Sequence, residues 1–335
     1  VGHCSFSLAG HGFALDQLRS VFVSGTPLRD RGALVGMRVR ISAAGGNRIV
    51  TAAWQMDSET KWYGVLGDPV RHSKSPVMMN RAFRECGINA AYGAFHVKPE
   101  RLGDAVKGLR ALGFGGFNVT IPHKVDVMNY LDAVDERARR IGAVNTVVAD
   151  ESGALTGYNT DGIGYVRSLK EETGIALGGK RVALIGAGGA ARGIVFALAE
   201  EGVASVAILN RTESSARSLA AEAARFAPCE GMPLAALADI IDQTDLLINT
   251  TSVGMHPHVD EIPVPSDLLR PHLVVSDIVY NPRETRLLRE AASRGCTVHG
   301  GLGMFIYQGA YAFEYWTGTA APVAAMREAV EASLK

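Results

Sequence analysis

Arg181-Val-Ala-Leu-Ile185 runs straight into Gly186-Ala187-Gly188-Gly189-Ala190-Ala191, and this junction decides the fold. The first five residues read as a short buried strand. An alanine-rich run follows the glycines and predicts a helix from about residue 190 to 200. Strand, G-x-G-x-x-A turn and helix in that order form a dinucleotide-binding unit. Gly186 permits the tight turn, Gly188 lets the backbone approach a pyrophosphate, and Ala191 allows close helix–strand packing. The helix N-terminus offers N–H groups to the phosphates, with Ala187, Gly189 and Ala190 completing the turn.

The next apolar strand, Val203–Leu209, ends at Asn210-Arg211-Thr212. An NAD-binding chain usually carries Asp or Glu at this tip, to hold the ribose 2′-hydroxyl. Here a guanidinium stands there, and arginine suits a phosphate in bidentate geometry. The pattern therefore points to NADP(H), against the plainer alternative of an exposed surface arginine. Glu213 tempers this reading, and Arg217 adds positive charge.

Strands and helices alternate outward from the turn. Downstream, strands are predicted at Leu246–Asn249, Val274–Asp277 and Thr297–His299, with helices from about 214 to 226 and 284 to 294. This is a doubly wound layout. Upstream, a separate series has strands at Trp62–Leu66, Ala91–Val97 and Gly116–Thr120. Its helices are predicted at Pro76–Cys86, Glu100–Leu112, Lys124–Tyr130 and Ala133–Ile141. Thr146–Ala149 and Ala154–Tyr158 flank Asp150-Glu151-Ser152-Gly153 and read as a hairpin, which implies one antiparallel edge on an otherwise parallel sheet. Gly162–Thr173 is predicted to link the two series. Helices over Met304–Thr317 and Pro322–Leu334 are expected to return to the first unit. The fold class is thus α/β in two domains separated by a cleft. An N-terminal mixed-sheet substrate domain (61–160 plus 304–335) joins a Rossmann-type NADP domain (161–303).

Charged residues make up 20% and hydrophobic residues 47% of the 335-residue chain, so a large core can be buried. A net charge of +0 argues against a nucleic-acid footprint. Cys4, Cys86, Cys229 and Cys296 have no metal-ligand spacing and read as reduced thiols of a cytoplasmic protein. No apolar run reaches transmembrane length. Residues 1–60 are arginine-rich and without period. They are read as a leader outside the fold, disordered or a misassigned start, in preference to a targeting segment.

Candidate chemistry sits at three motifs and two further residues. Asn118-Val-Thr-Ile-Pro-His-Lys124 places a lysine after a short strand and a proline stop. A lysine there can point into a cleft, where desolvation would tune it, or simply be solvated. Ser73-Lys-Ser-Pro76 suits a carboxylate or phosphate, or else is a plain helix start with proline. Asn159-Thr-Asp-Gly162 lies at the domain junction, as an Asx-capped turn or as part of a cleft. Asn145 and Gln308 complete a polar set that fits a small polyhydroxylated acid.

On these motifs, in this order, the chain from about residue 62 to 330 resembles the shikimate dehydrogenase family. The resemblance implies Lys124 and Asp161 as catalytic residues, and Ser73 and Ser75 as the carboxylate anchor. It implies Thr120, Asn145, Tyr280 and Gln308 as further substrate contacts. Thr250, Ser252 and Met255, with Ile278, Gly301 and Met304, would line the nicotinamide side. A second arginine often found four residues after the clamp arginine is Ser215 here. The implied activity is reversible reduction of 3-dehydroshikimate to shikimate by NADPH, in aromatic amino-acid biosynthesis, by a monomer or homodimer. Whether Lys124 is proton donor or electrostatic stabiliser stays open at this point. A quinate/shikimate or aminoshikimate dehydrogenase, or a non-catalytic metabolite sensor, is the alternative.

Overall fold

The computed structural model describes residues 56–334 and, before them, the backbone of three strands. These are β1 (Leu18–Val23), β2 (Val39–Ala43) and β3 (Gly46–Val50), which form an antiparallel sheet of their own. The rest of the 1–60 leader, up to residue 55, lies outside the described residues.

The first large sheet uses β4 (Lys61–Gly67), β5 (Ala90–His96), β6 (Gly116–Val119), β7 (Ala133–Val134), β8 (Thr146–Ala149) and β9 (Leu155–Tyr158). Their order is β5-β4-β6-β8-β9-β7. Between and after them come α1 (Ser75–Glu85), α2 (Leu102–Ala111), α3 (Glu136–Ile141) and the linking helix α4 (Asp161–Thr173). The β8–β9 hairpin forms as predicted. It is not an antiparallel edge, however. β8 pairs antiparallel with β6 inside the sheet, and β7 adds a parallel edge beyond β9.

Two predicted helices are corrected. The Lys124–Tyr130 run is a series of turns followed by a 3-10 helix over Asp126–Tyr130. The Lys124 carbonyl, which a helix would use within itself, accepts the Val144 N–H instead at 2.7 Å. Within Ala133–Ile141 the helix starts only at Glu136, because the Asp135 carboxylate caps the Arg137 and Ala138 N–H groups. Ala133 and Val134 pair with Thr156 and Gly157.

The second sheet is parallel throughout: β10 (Arg181–Ile185), β11 (Ser205–Asn210), β12 (Cys229–Pro233), β13 (Leu246–Asn249), β14 (Val274–Asp277) and β15 (Thr297–His299). The order β12-β11-β10-β13-β14-β15 reverses between β10 and β13, where a doubly wound sheet opens a ligand crevice. The helices are α5 (Gly189–Glu200), α6 (Glu213–Ala223), α7 (Leu237–Ile240) and α8 (Arg286–Ser293). Val182 and Leu184 of β10 face one apolar cluster and Ala183 and Ile185 the other, so the strand is buried on both faces. Edge strand β12 escapes sequence reading. Cys-Glu-Gly-Met-Pro has no period, and its extended form follows from pairing with β11.

α9 (Gly301–Thr317) and α10 (Val323–Ser333) return to the first sheet as expected. Ile306, Ala310 and Phe313 of α9 and Met326 and Val330 of α10 share a cluster with Tyr63, Val65 and Phe83. Trp316 packs at a tilt against Tyr63 and donates its indole N–H to the Val147 carbonyl at 2.9 Å.

α4 joins the two sheets through close backbone contact. A Cβ added at Gly162 would lie 2.2 Å from the Gly193 carbonyl oxygen of α5, and one at Gly164 would lie 2.6 Å from the Gln308 nitrogen of α9. Gly162→Ala should therefore push α4 from α5 and cost about 1–3 kcal/mol, the usual penalty of overpacking. Chemical denaturation measures it; wild-type stability would mean that the helices separate freely.

Candidate functional site

β6 with the turn after it, the start of β8 and the start of α4 converge on one polar network. The Lys124 ammonium lies 2.5 Å from Asp161 Oδ2, with the two side chains 15% and 6% exposed. Asn145 Nδ2 donates to Asp161 Oδ1 at 2.8 Å and to Thr160 Oγ1 at 3.0 Å. Its Oδ1 accepts the Thr160 N–H at 2.9 Å. The Asp161 N–H is taken by Asn159 Oδ1 at 3.1 Å. The carboxylate is thus fixed on both oxygens before any ligand arrives, and its charge is paired, as burial demands.

Both amide hydrogens of Asn145 are used in this network. Asn145 therefore orients Asp161. Three further members escaped the sequence reading. Asn118 donates to the Asn145 carbonyl and to Thr146 Oγ1, each at 3.1 Å, and Tyr92 donates to Asn118 Oδ1 at 2.7 Å. Thr160 donates to the Gln308 carbonyl at 3.0 Å. The signal for Asn118 was present in its strand, where an amide interrupts a buried run. Tyr92 had no such mark. Burial pushes its phenol well above the ordinary range, opposed by a hydrogen bond with Ser75.

The remaining candidates surround this network to different degrees. Ser75 is buried beside Tyr92, and Ser73 Oγ accepts the Ser75 N–H at 3.2 Å. Lys74 between them turns away and donates to the Ser333 carbonyl at 2.8 Å, at the end of α10. Thr120 follows β6, and its methyl fills the space that a Cβ at Gly67 would need. Gln308 donates within its own helix to the Phe305 carbonyl at 2.8 Å. Tyr280 stacks on Phe305 with centroids 4.6 Å apart.

The glycine turn lies beside Lys124: a Cβ added at Gly189 would be 3.7 Å from Lys124 Cδ. Gly186 has φ +111 and leaves no room for a side chain, because Thr250 Oγ1 would be 2.5 Å from its Cβ. α5 begins at Gly189 with no side chain capping its first N–H groups, which leaves them for an anion. Ala187 and Ala190 are half-buried and Gly188 is exposed. At the tip of β11, Asn210 donates to the Thr212 carbonyl at 3.0 Å. Arg217 is exposed and pairs with Glu213 at 2.5 Å. Arg211 is exposed and has no partner among the described residues. These residues fit a dinucleotide with a phosphate near Arg211.

Ser252 and Met255 are exposed on the loop after β13, and Thr250 donates to the Ile185 carbonyl at 2.7 Å. Ile278 is half-buried, and Gly301 opens α9 against its carbonyl. Met304 is instead a core side chain, packed in the cluster of Tyr165 and Leu198. Asp277, at the end of β14, is fully buried and accepts from Asn249 Nδ2 and the Val279 N–H at 3.0 Å and from Thr285 Oγ1 at 2.7 Å. Among the described residues no group of three or more His, Cys, Asp or Glu could hold a metal ion, and no helix is long and apolar enough to cross a membrane.

Comparison with known proteins fits this geometry. The model of the shikimate dehydrogenase substrate binding domain matches residues 65–147. That of shikimate/quinate 5-dehydrogenase matches residues 168–284, and that of the shikimate 5′-dehydrogenase C-terminal domain matches 301–331. A shikimate dehydrogenase (NADP(+)) from a Geobacillus species is 50% identical over 82% of this chain and 99% of its own. The chain belongs to the shikimate dehydrogenase family. A shikimate dehydrogenase crystallised with NADP+ superposes with a TM-score of 0.78 at 43% identity, over 84% of this chain and 98% of its own. The Listeria monocytogenes shikimate 5-dehydrogenase, in complex with shikimate and NAD, has a TM-score of 0.78 at 40% identity, over 82% and 98%. The two sheets of this chain are therefore the two halves of a shikimate dehydrogenase fold.

Burial raises Asp277 from 3.8 to about 6, against the pull of Thr285, Val279 and Asn249. A carboxylate whose folded value lies above its unfolded one costs stability as pH rises from the unfolded value to the folded value. The cost is absent below about 3.8 and full above about 6. Asp277→Asn removes it. At about 1.4 kcal/mol per unit, the variant should gain up to about 3 kcal/mol over the wild type at neutral pH. The gain should shrink toward pH 4. Paired melting curves across this range check it; a difference that does not vary with pH would show that Asp277 is not ionising there.

Proposed function

We propose that the chain catalyses the reversible NADPH-dependent reduction of 3-dehydroshikimate to shikimate, a cytoplasmic step of aromatic amino-acid biosynthesis. The position of Lys124 supports this most directly: its ammonium is held by Asp161 while its stem lies against the glycine turn. A cofactor cradled by that turn supplies the hydride. Of the three ammonium donors one is spent on Asp161, which leaves others for a carbonyl oxygen in the cleft. Lys124 delivers the proton to that oxygen in reduction and takes it back in oxidation. Asp161 holds the ammonium in place and accepts from a ring hydroxyl, and Asn145 fixes Asp161. Ser73, Ser75 and Tyr280 bind the carboxylate end, with Thr120 and Gln308 on the ring hydroxyls.

The pair is tested by substitution. Lys124→Ala should lower turnover of shikimate with NADP by ~10²–10⁴-fold while the fold survives, as for loss of a positioned acid–base group. Asp161→Asn should also lose most turnover. Near-wild-type turnover of the lysine variant would remove it from the chemistry. Run with quinate beside shikimate, the same assay separates this reading from a quinate-preferring enzyme. Binding of shikimate without turnover by the wild type would mark a sensor.

Arg211 sets the cofactor. A free guanidinium gains most from a doubly charged 2′-phosphate. Arg211→Ala should raise the KM for NADP by roughly tenfold, equivalent to about 1.4 kcal/mol, and leave that for NAD nearly unchanged. Steady-state kinetics at fixed ionic strength would show this. An unchanged ratio of NADP to NAD use would mean that another group holds the phosphate.

A further inference from the structure

Asp277 has no charged partner among the described residues, yet it is the most heavily used acceptor at the open end of the second sheet. Its three bonds go to two different loops. Through Asn249 it reaches the loop after β13: Asn249 also donates to the Val253 carbonyl at 3.3 Å, and its Oδ1 accepts the Thr251 N–H at 3.0 Å and the Thr251 hydroxyl at 2.7 Å. Through Val279 and Thr285 it holds both ends of the loop after β14. Thr285 in turn caps α8 at the Leu288 N–H. The two loops also touch directly, where the His256 N–H donates to the Asn281 carbonyl at 3.0 Å.

We propose that Asp277 is a positioning residue for the cofactor and substrate face. It fixes the 250–256 loop, which carries Thr250, Ser252 and Met255, against the 278–285 segment, which carries Ile278 and Tyr280. This inference rests on the functional reading above for what those two segments do. The physical case is that an asparagine of the same shape would be cheaper to bury, because an unpaired carboxylate costs stability. An amide has a single acceptor atom, whereas the carboxylate serves three donors on two oxygens. Asn249 and Val279 share Oδ1, an acceptor that an amide would keep, whereas the second carboxylate oxygen adds Thr285, the far end of the 278–285 segment and the cap of α8.

The test uses the full chain with Asp277→Ala and Asp277→Asn. Steady-state kinetics with shikimate and NADP are read together with hydrogen–deuterium exchange over 250–256 and 278–285. The alanine variant should exchange faster in both segments, with β4 and β6 of the other sheet unchanged. Its kcat and its KM for NADP should both worsen, giving a loss in kcat/KM of about tenfold or more, since a small misplacement of positioned groups is enough for that. Asp277→Asn should recover part of the loss while melting no lower than the wild type at neutral pH. If the alanine variant does not fold, the asparagine variant decides alone: lower kcat/KM despite undiminished stability supports the proposal. Wild-type kinetics in a folded alanine variant, or slowed catalysis with both segments exchanging as in the wild type, would overturn it. Should the wild type itself fail to turn over shikimate, the functional reading falls. The exchange data would then still decide whether Asp277 orders the two segments.

Discussion

The backbone of α4 meets the backbone of α5 at Gly162 and Gly193, and everything at the candidate site is arranged around that contact. Asp161 is the residue before Gly162, so the approach that brings the helices together also delivers its carboxylate to the cleft. On the other helix Gly189, four residues before Gly193, lies beside the stem of Lys124. A side chain at Gly162 would separate three things that the structure brings together: the acid, the lysine and the glycine turn. The constraint is steric and falls on backbone atoms, where protein interiors have least room to adjust.

Once the carboxylate is in place, its surroundings make it bearable there. An ionised side chain buried this deeply is costly unless it is paired and its remaining acceptor sites are filled. Lys124 supplies the pair and Asn145 fills the second oxygen. Asn145 is itself pinned through Thr160, whose hydroxyl reaches the returning helix α9, and through the Asn118–Tyr92 chain that runs back toward Ser75. Networks of this sort are strong when every member is satisfied and weak when one is lost. The lysine, the aspartate and the serine end of the site are therefore parts of one unit, although they come from distant stretches of the chain.

Much of this was legible in the sequence. The glycine turn, the β8–β9 hairpin and the parallel second sheet follow from local pattern, and the return of the last helices from how such two-domain folds are completed. What local pattern missed was decided by pairing at a distance. The run after Lys124 has helical composition, but the Lys124 carbonyl is claimed by Val144 from another part of the chain. Ala133 and Val134 are strand only because β9 offers an edge, and β12 only because β11 does. At the site, Lys124 and Asp161 could be named from their motifs. Tyr92 lies in an ordinary strand and Asp277 at the end of another, and neither carries a mark that periodicity can read.

The cofactor tip shows how charge bookkeeping along one helix changes a reading. By sequence Arg211, Glu213 and Arg217 leave the sign of the tip uncertain, two cations against one anion within one helical turn or so. The structure divides them. Glu213 and Arg217 stand one turn apart on α6 and pair across it, a contact that helical spacing favours and solvent keeps weak. That pairing leaves Arg211 before the helix as the one group of the three with a free charge. In the role proposed for it, Arg211 would meet a 2′-phosphate as an exposed guanidinium, and an exposed charge is screened by salt. Preference for NADP over NAD in this chain should accordingly narrow as ionic strength rises, whereas a buried clamp would hold it constant.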